Sequence, residues 1–190
     1  MSAAPETSTP VFVVGAGIMG AGIAQVAAQA GHPVRLFDTR EGAAADAKAK
    51  LATGLEALVA KGRLGAEAVR ATLARITPAA SLAEAAEAGL VVEAIVEKLE
   101  VKRTLLRDLE AVVGDACVLA TNTSSISVTA LANGLRLPGR LVGMHFFNPV
   151  PVMKLVEVIS GLHTAPAVAE AIFDLSARWG KVPVHARSTP

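Results

Sequence analysis

Val11-Phe-Val-Val-Gly15-Ala-Gly17-Ile-Met-Gly20 is the stretch that decides the fold. Its first four residues are apolar without alternation, the mark of a strand buried on both faces of a parallel sheet. The G-x-G-x-x-G sequence follows that strand directly and opens an alanine-rich helical stretch from about Met19 to Ala30, ended by Gly31. In this setting each glycine has a physical task. Gly15 permits the tight turn, Gly17 lets the backbone approach a pyrophosphate, and Gly20 lets the helix pack closely on the strand. With Ala16, Ile18 and Met19 they form a loop whose amides, at a helix N-terminus, suit phosphate. Such a fingerprint calls for an acid roughly 20 residues further on, and Asp38 closes the next apolar run, Pro33 to Asp38. A carboxylate there bonds a ribose 2′-hydroxyl and repels a 2′-phosphate, so the expected cofactor is NAD rather than NADP. Arg40, just past this run, is expected along the adenine edge. The plainer alternative is a merely tight turn, with Asp38 capping the next helix.

Working outward, short β-rich runs alternate with longer helical stretches. Helices are expected over Glu41 to Ala60, Ala66 to Arg75, Lys98 to Val113 and Ala165 to Trp179, with shorter ones over Ser81 to Ala88 and Thr129 to Ala132. Ser81 and Glu84 have the spacing of a capping box. Strands are expected at Gly89 to Val96, Ala116 to Thr121, Arg140 to Phe147, Lys154 to Ile159 and Lys181 to His185. This alternation predicts an α/β, Rossmann-type doubly wound fold with a mostly parallel sheet. Residues 1–10 read as a flexible polar lead-in and residues 11–190 as one domain.

Composition narrows the function. The 190 residues are 52% hydrophobic and 18% charged, with a formal net charge of +1. The mean hydropathy of +0.48 raises the question of a membrane, but the apolar runs fall far short of the ~20 residues a spanning helix needs. Near-zero charge, no basic cluster and 3% aromatics without a tyrosine speak against a nucleic-acid surface. The single Cys117 sits in an apolar run and reads as a small buried hydrophobe. The lead-in has no basic stretch before an apolar one, so a cytoplasmic location is expected. No metal-ligand set is assigned.

Oxidising an alcohol requires a group that takes the hydroxyl proton while hydride leaves for the nicotinamide. Histidine suits that role, and a carboxylate partner sets its tautomer. Of the four histidines, His32 follows the helix-ending Gly31, His163 sits in a turn and His185 ends the last strand, whereas His145 closes a strand that runs into Phe146-Phe147-Asn148-Pro149 at the edge where doubly wound folds bind ligands. Glu157 lies in the following apolar run, where an unpaired carboxylate is costly. Spacing alone leaves a structural hydrogen bond and a catalytic pair equally open. Thr121-Asn-Thr-Ser-Ser125 follows another buried strand at the same edge; its hydroxyls suit a substrate oxygen or a polar turn. Of Glu93 and Glu97, Glu97 is expected to face the cofactor, because Glu93 lies deeper in its apolar run.

These residues carry a resemblance. Val14-Gly-Ala-Gly-Ile-Met-Gly-Ala-Gly-Ile-Ala24, Val92-Glu-Ala-Ile-Val-Glu97, Asn122-Thr-Ser-Ser125 and above all His145-Phe-Phe-Asn-Pro-Val-Pro-Val-Met-Lys-Leu-Val-Glu157 resemble the NAD-binding domain of L-3-hydroxyacyl-CoA dehydrogenases. The likeness runs from Val11 to Pro190. It implies that His145 is the general base for L-3-hydroxyacyl-CoA oxidation and Glu157 its orienting carboxylate. Ser124 then bonds the substrate's 3-oxygen, and Asn148 sits near the reacting carbonyl and the nicotinamide. Glu97 and Lys102 match positions that contact NAD, and Lys61 matches a lysine that contacts CoA phosphates. A hydroxyl residue seven positions before that lysine in some members is here Gly54. Thr121 to Val128 and Trp179 to Pro190 look most like the bacterial phenylacetate-catabolic branch, which oxidises 3-hydroxyadipyl-CoA; 3-hydroxybutyryl-CoA enzymes of fatty-acid β-oxidation type are close behind. The family's chain continues into a helical domain supplying an active-site asparagine, part of the acyl pocket and a homodimer interface. The resemblance therefore implies an isolated cofactor domain with an acyl-CoA partner. A non-catalytic NAD-binding module and a dehydrogenase acting on sugar acids are the alternatives.

Overall fold

The computed structural model describes residues 5–188. Residues 1–4 of the lead-in, and 189–190 at the end of the resemblance, lie outside that range. Eight strands form one sheet in the order β3-β2-β1-β4-β5-β6-β7-β8. They are β1 (Val11–Val14), β2 (Val34–Phe37), β3 (Ile76–Pro78), β4 (Leu90–Glu93), β5 (Val118–Thr121), β6 (Leu141–Phe146), β7 (Leu155–Ser160) and β8 (Val182–Arg187). All pairings are parallel except β6 with β7. The helices are α1 (Ile18–Gln29), α2 (Ala43–Ala60), α3 (Ala66–Arg75), α4 (Leu99–Val112), α5 (Val128–Ala132) and α6 (Pro166–Arg178).

β1 shows why an unbroken apolar run is needed at the centre of such a sheet. Val11 and Val13 enter one core with residues of α1 and α6, while Phe12 and Val14 enter the other with Leu106 and Leu109 of α4. The period of two sends neighbours to opposite faces, and helices cover both. β1 lies between β2 and β4, so the chain crosses from one half of the sheet to the other there. That reversal opens a crevice at the carboxyl ends of β1 and β4.

Two local readings change. Ile76–Pro78, too short to declare itself in the sequence, forms the edge strand β3 beside β2. The capping box at Ser81 does not form. The segment is a 3-10 turn over Leu82–Ala85, and the Ser81 side chain makes no cap. Glu84 instead accepts from the Ala80 amide and pairs with Arg35 of β2, a partner that local spacing cannot reveal. Cys117 is buried, and burial pushes its thiol up to about 12, so it packs as a hydrophobe. Residues 5–10 lie against the body of the fold, with Thr9 and Pro10 accepting from His32 and Gly89.

Candidate active site

The glycine loop leaves β1 and turns into α1. Gly15 has φ +104, and a Cβ there would lie 2.4 Å from the Ala94 carbonyl oxygen of the neighbouring strand end. A Cβ on Gly20 would lie 1.7 Å from the Gly15 carbonyl oxygen, so both positions exclude a side chain. Gly17 has nothing within 4 Å; the space beside it is open at the first amides of α1, a cradle that fits a pyrophosphate.

Asp38 follows β2. One of its oxygens accepts from the Ala16 amide at 2.8 Å and the other from the Arg40 amide at 2.9 Å. Burial pushes this carboxyl up, but those two amides and the Arg40 guanidinium outweigh it and hold it below its ordinary value. Asp38 and Arg40 border a hollow of about 810 Å³ with Gly15, Gly17, Ile95 and Val101. Its apolar walls and charged rim suit a nucleoside.

A second hollow, of about 370 Å³, opens on the other side of the loop. Met19, Glu97, Asn122, Ser124, His145 and Asn148 line it. The fold thus brings together residues from α1, the β4–α4 connection, the segment after β5, and the end of β6. His145 pairs directly with Glu157 across the antiparallel β6–β7 ladder. Its Nδ1 lies 2.7 Å from Glu157 Oε2, with His145 15% and Glu157 35% exposed. A carboxylate at Nδ1 selects the tautomer with the proton on that nitrogen, leaving the Nε2 lone pair as a base.

Glu97 organises the opposite wall. Its Oε1 accepts from the Thr123 hydroxyl, the Ser124 amide at 2.9 Å and the Ser125 amide at 3.1 Å. The Ser124 hydroxyl is 3.5 Å from the same oxygen. Burial pushes the Glu97 carboxyl up, yet these donors and the Lys102 ammonium bring it down to about 2.

Two family-derived positions lie outside both hollows. Lys102 does not stand in the open cleft. It is 1% exposed, and its ammonium bonds Glu93 at 2.6 Å, the Ile95 carbonyl at 3.3 Å and Glu97 at 3.2 Å. It reaches the hollow only through Glu97, because α4 turns residue 102 inward on the stripe of Leu106 and Leu109. Lys61 caps the far end of α2 and lines neither hollow. Lys50, one turn of α2 after Asp46, instead borders a third hollow of about 450 Å³ with Arg40 and Asn148.

Glu93, set aside in favour of Glu97, and Asn122, quoted only within its motif, both have roles that the sequence does not assign. Glu93 is fully buried, and its oxygens accept from Lys102, the Ile95 amide and the Thr121 hydroxyl. Asn122 Oδ1 accepts from the Phe146 amide at 2.8 Å, tying the end of β5 to the residue after His145. The available signals were an acid inside an apolar run and an asparagine directly after a buried strand.

Strand order, glycine loop and the acid after β2 define a nicotinamide-dinucleotide-binding domain of the dehydrogenase type. The particular lineage comes from comparison. The family model described as "3-hydroxyacyl-CoA dehydrogenase, NAD binding domain" matches residues 10–189, and the chain belongs to that family. It is 48% identical over 180 residues to the 3-hydroxyadipyl-CoA dehydrogenase of Escherichia coli K12, covering 95% of this chain and 38% of the relative. It is 44% identical to the human mitochondrial hydroxyacyl-coenzyme A dehydrogenase, covering 95% of this chain and 59% of that one. The solved 3-hydroxybutyryl-CoA dehydrogenase of Escherichia coli K12 superposes with a TM-score of 0.94 at 48% identity, over 96% of this chain and 39% of that one. The chain therefore spans between 38% and 59% of the length of these relatives.

Proposed function

We propose that this chain is the cofactor-binding and acid–base part of an NAD-dependent L-3-hydroxyacyl-CoA dehydrogenase. The observation that carries the reading is the His145–Glu157 pair opening into the same hollow as Ser124, Glu97 and Asn148, beside the glycine loop. His145 Nε2 takes the proton from the 3-hydroxyl of the acyl-CoA, and Glu157 steadies the imidazolium that results. Bound NAD+ supplies the hydride acceptor. Ser124 and Asn148 hold the substrate oxygen and carbonyl, and in reduction His145 returns the proton. Lys61 contacts the CoA phosphates, with Lys50 closer to the hollow beside Asn148.

Relatives from Escherichia coli K12 at 48% identity carry both names, 3-hydroxyadipyl-CoA and 3-hydroxybutyryl-CoA dehydrogenase, and it is the likeness of Thr121 to Val128 to the phenylacetate-catabolic branch that favours 3-hydroxyadipyl-CoA as substrate. A homodimer joined through a further helical domain and a cytoplasmic location belong to the same reading. Among the described residues no helix is long and apolar enough to cross a membrane.

Calorimetric titration of the chain tests the cofactor. NADH is expected to bind more tightly than NADPH, because the ionised Asp38 disfavours a 2′-phosphate, and Asp38→Ala is expected to narrow the gap. Equal affinities in the parent chain would remove Asp38 from the selection. With the full-length protein, acetoacetyl-CoA reduction by NADH tests the reaction.

A further inference from the structure

The loop from Asn148 to Met153 joins β6 to β7 and carries Asn148 at its start. Val150 is 2% exposed and packs on α1, where a Cβ on Gly22 would lie 2.8 Å from the Val150 Cβ. Lys181 approaches the same loop from the other side, just before β8. It is 7% exposed, and its ammonium donates to the carbonyls of Val150 and Met153, the latter at 2.8 Å. No carboxylate pairs with it among the described residues, and burial, with the charge of Lys154, pushes its pKa down.

A buried cation without an acid is costly where packing alone would serve. What the ammonium adds over an apolar side chain is two directed donors to one loop. Lys154 and Arg178 border the adjacent hollow of about 320 Å³. Lys154 donates to the Gly180 carbonyl and Arg178 to that of Pro5. The C-terminal ends of α1 and α6 also border this hollow, and a helix C-terminus carries the negative end of the dipole. All three cations are engaged by the chain's own carbonyls.

We propose that Lys181 is a positioning residue, which fastens the Val150 and Met153 carbonyls, clamps the loop against α1 and so sets Asn148 in the hollow it shares with His145. The inference rests on the proposed function, in which Asn148 faces the reacting carbonyl. Asn148 lies two residues from a fastened carbonyl, whereas the nucleoside hollow has no residue of this loop in its lining. Release of the loop moves Asn148 and leaves Asp38 and its ribose site in place.

The test uses the full-length protein, NADH-dependent reduction of acetoacetyl-CoA, and NADH affinity from fluorescence titration. Lys181→Met is expected to lower kcat by about 10–10²-fold, the scale of an ångström-sized misplacement. The Kd for NADH is expected to change far less than kcat, since Asp38 and the nucleoside hollow stay in place, a split that general unfolding would not produce. In the Asn148→Ala background Lys181→Met is expected to add nothing, since both act through one amide. Gly22→Ala presses the loop from the α1 side with Lys181 intact, and is expected to lower kcat with the same dependence on Asn148; it carries the test if Lys181→Met does not fold. Losses that multiply in the double variants, or unchanged kcat in both single variants, overturn the inference alone. Full turnover by Asn148→Ala overturns the role of Asn148 and the inference with it, while full turnover by His145→Ala overturns the proposed reaction.

Discussion

Glu93 with Lys102 and Glu157 with His145 are both carboxylate–cation pairs at the carboxyl edge of the sheet, but they are enclosed to different degrees. Glu93 and Lys102 are 0% and 1% exposed, and every Glu93 oxygen has a donor. Glu157 and His145 are 35% and 15% exposed, joined by one hydrogen bond, with the second ring nitrogen unengaged among the described residues. A saturated pair in a dry site cannot exchange a proton without losing several bonds. A half-open pair can change its charge at one nitrogen and reset. The first therefore suits architecture, and the second suits the acid–base role proposed for it.

The largest effect expected from breaking this contrast is at the open pair. His145→Ala is expected to lower turnover of the full-length protein by about 10²–10⁴-fold, up to about 5.5 kcal/mol in barrier height. NADH affinity should hardly change. Glu157→Gln is expected to cost less, because the base nitrogen survives while its orientation weakens. Steady-state reduction of acetoacetyl-CoA by the variants measures both, and unimpaired His145→Ala turnover would place the acid–base group elsewhere.

Breaking the enclosed pair should register as stability. Lys102→Met leaves the Glu93 carboxylate buried beside an apolar side chain and is expected to cost about 3–5 kcal/mol, read from the urea unfolding midpoint. Adding Glu93→Gln should recover part of that loss, since neither charge is then left alone. If Lys102→Met proved as stable as the parent, the pair would have no architectural role.

The smallest effect is at Glu97, between the two pairs. Its carboxyl titrates at about 2 in the folded chain against 4.5 ordinarily. The unfolded chain therefore takes up this proton first as pH falls. The Glu97 contribution is complete above about pH 4.5 and is lost from there toward pH 2, so Glu97→Gln should flatten the melting temperature across that window. The group is 36% exposed, so solvent screens much of the effect. An unchanged slope would mean that the Thr123–Ser125 donors do not hold this charge.

Legibility followed the distance over which each feature is determined. The glycine loop could be read because backbone sterics within Gly15 to Gly20, and the strand and helix touching it, dictate it. Glu97 was separable from Glu93 because it falls beyond the strand end, where water reaches. Lys102 was assigned to the cofactor by likeness, yet its place on the stripe with Leu106 and Leu109 already marked an inward-facing position. Ser81 and Glu84 had the right spacing for a cap, but Arg35 is 49 residues from Glu84 and competes for it across the fold. Lys181 gave no sign of its two carbonyl acceptors, which come from a loop 28 to 31 residues away.

The sequence by itself determined a doubly wound NAD-binding domain, since alternating strands and helices and a glycine turn are local consequences of residue size and polarity. It also named His145 and Glu157 as the residues to watch. Only the tertiary structure decided that they pair, because the bond depends on the antiparallel register of β6 on β7, and a slip of one residue would turn Glu157 to the opposite face. It likewise decided that Lys102 supports the site from below and that Lys181 grips the Asn148 loop. Those roles come from which carbonyls and carboxylates the fold leaves without water, and no stretch of chain specifies that alone.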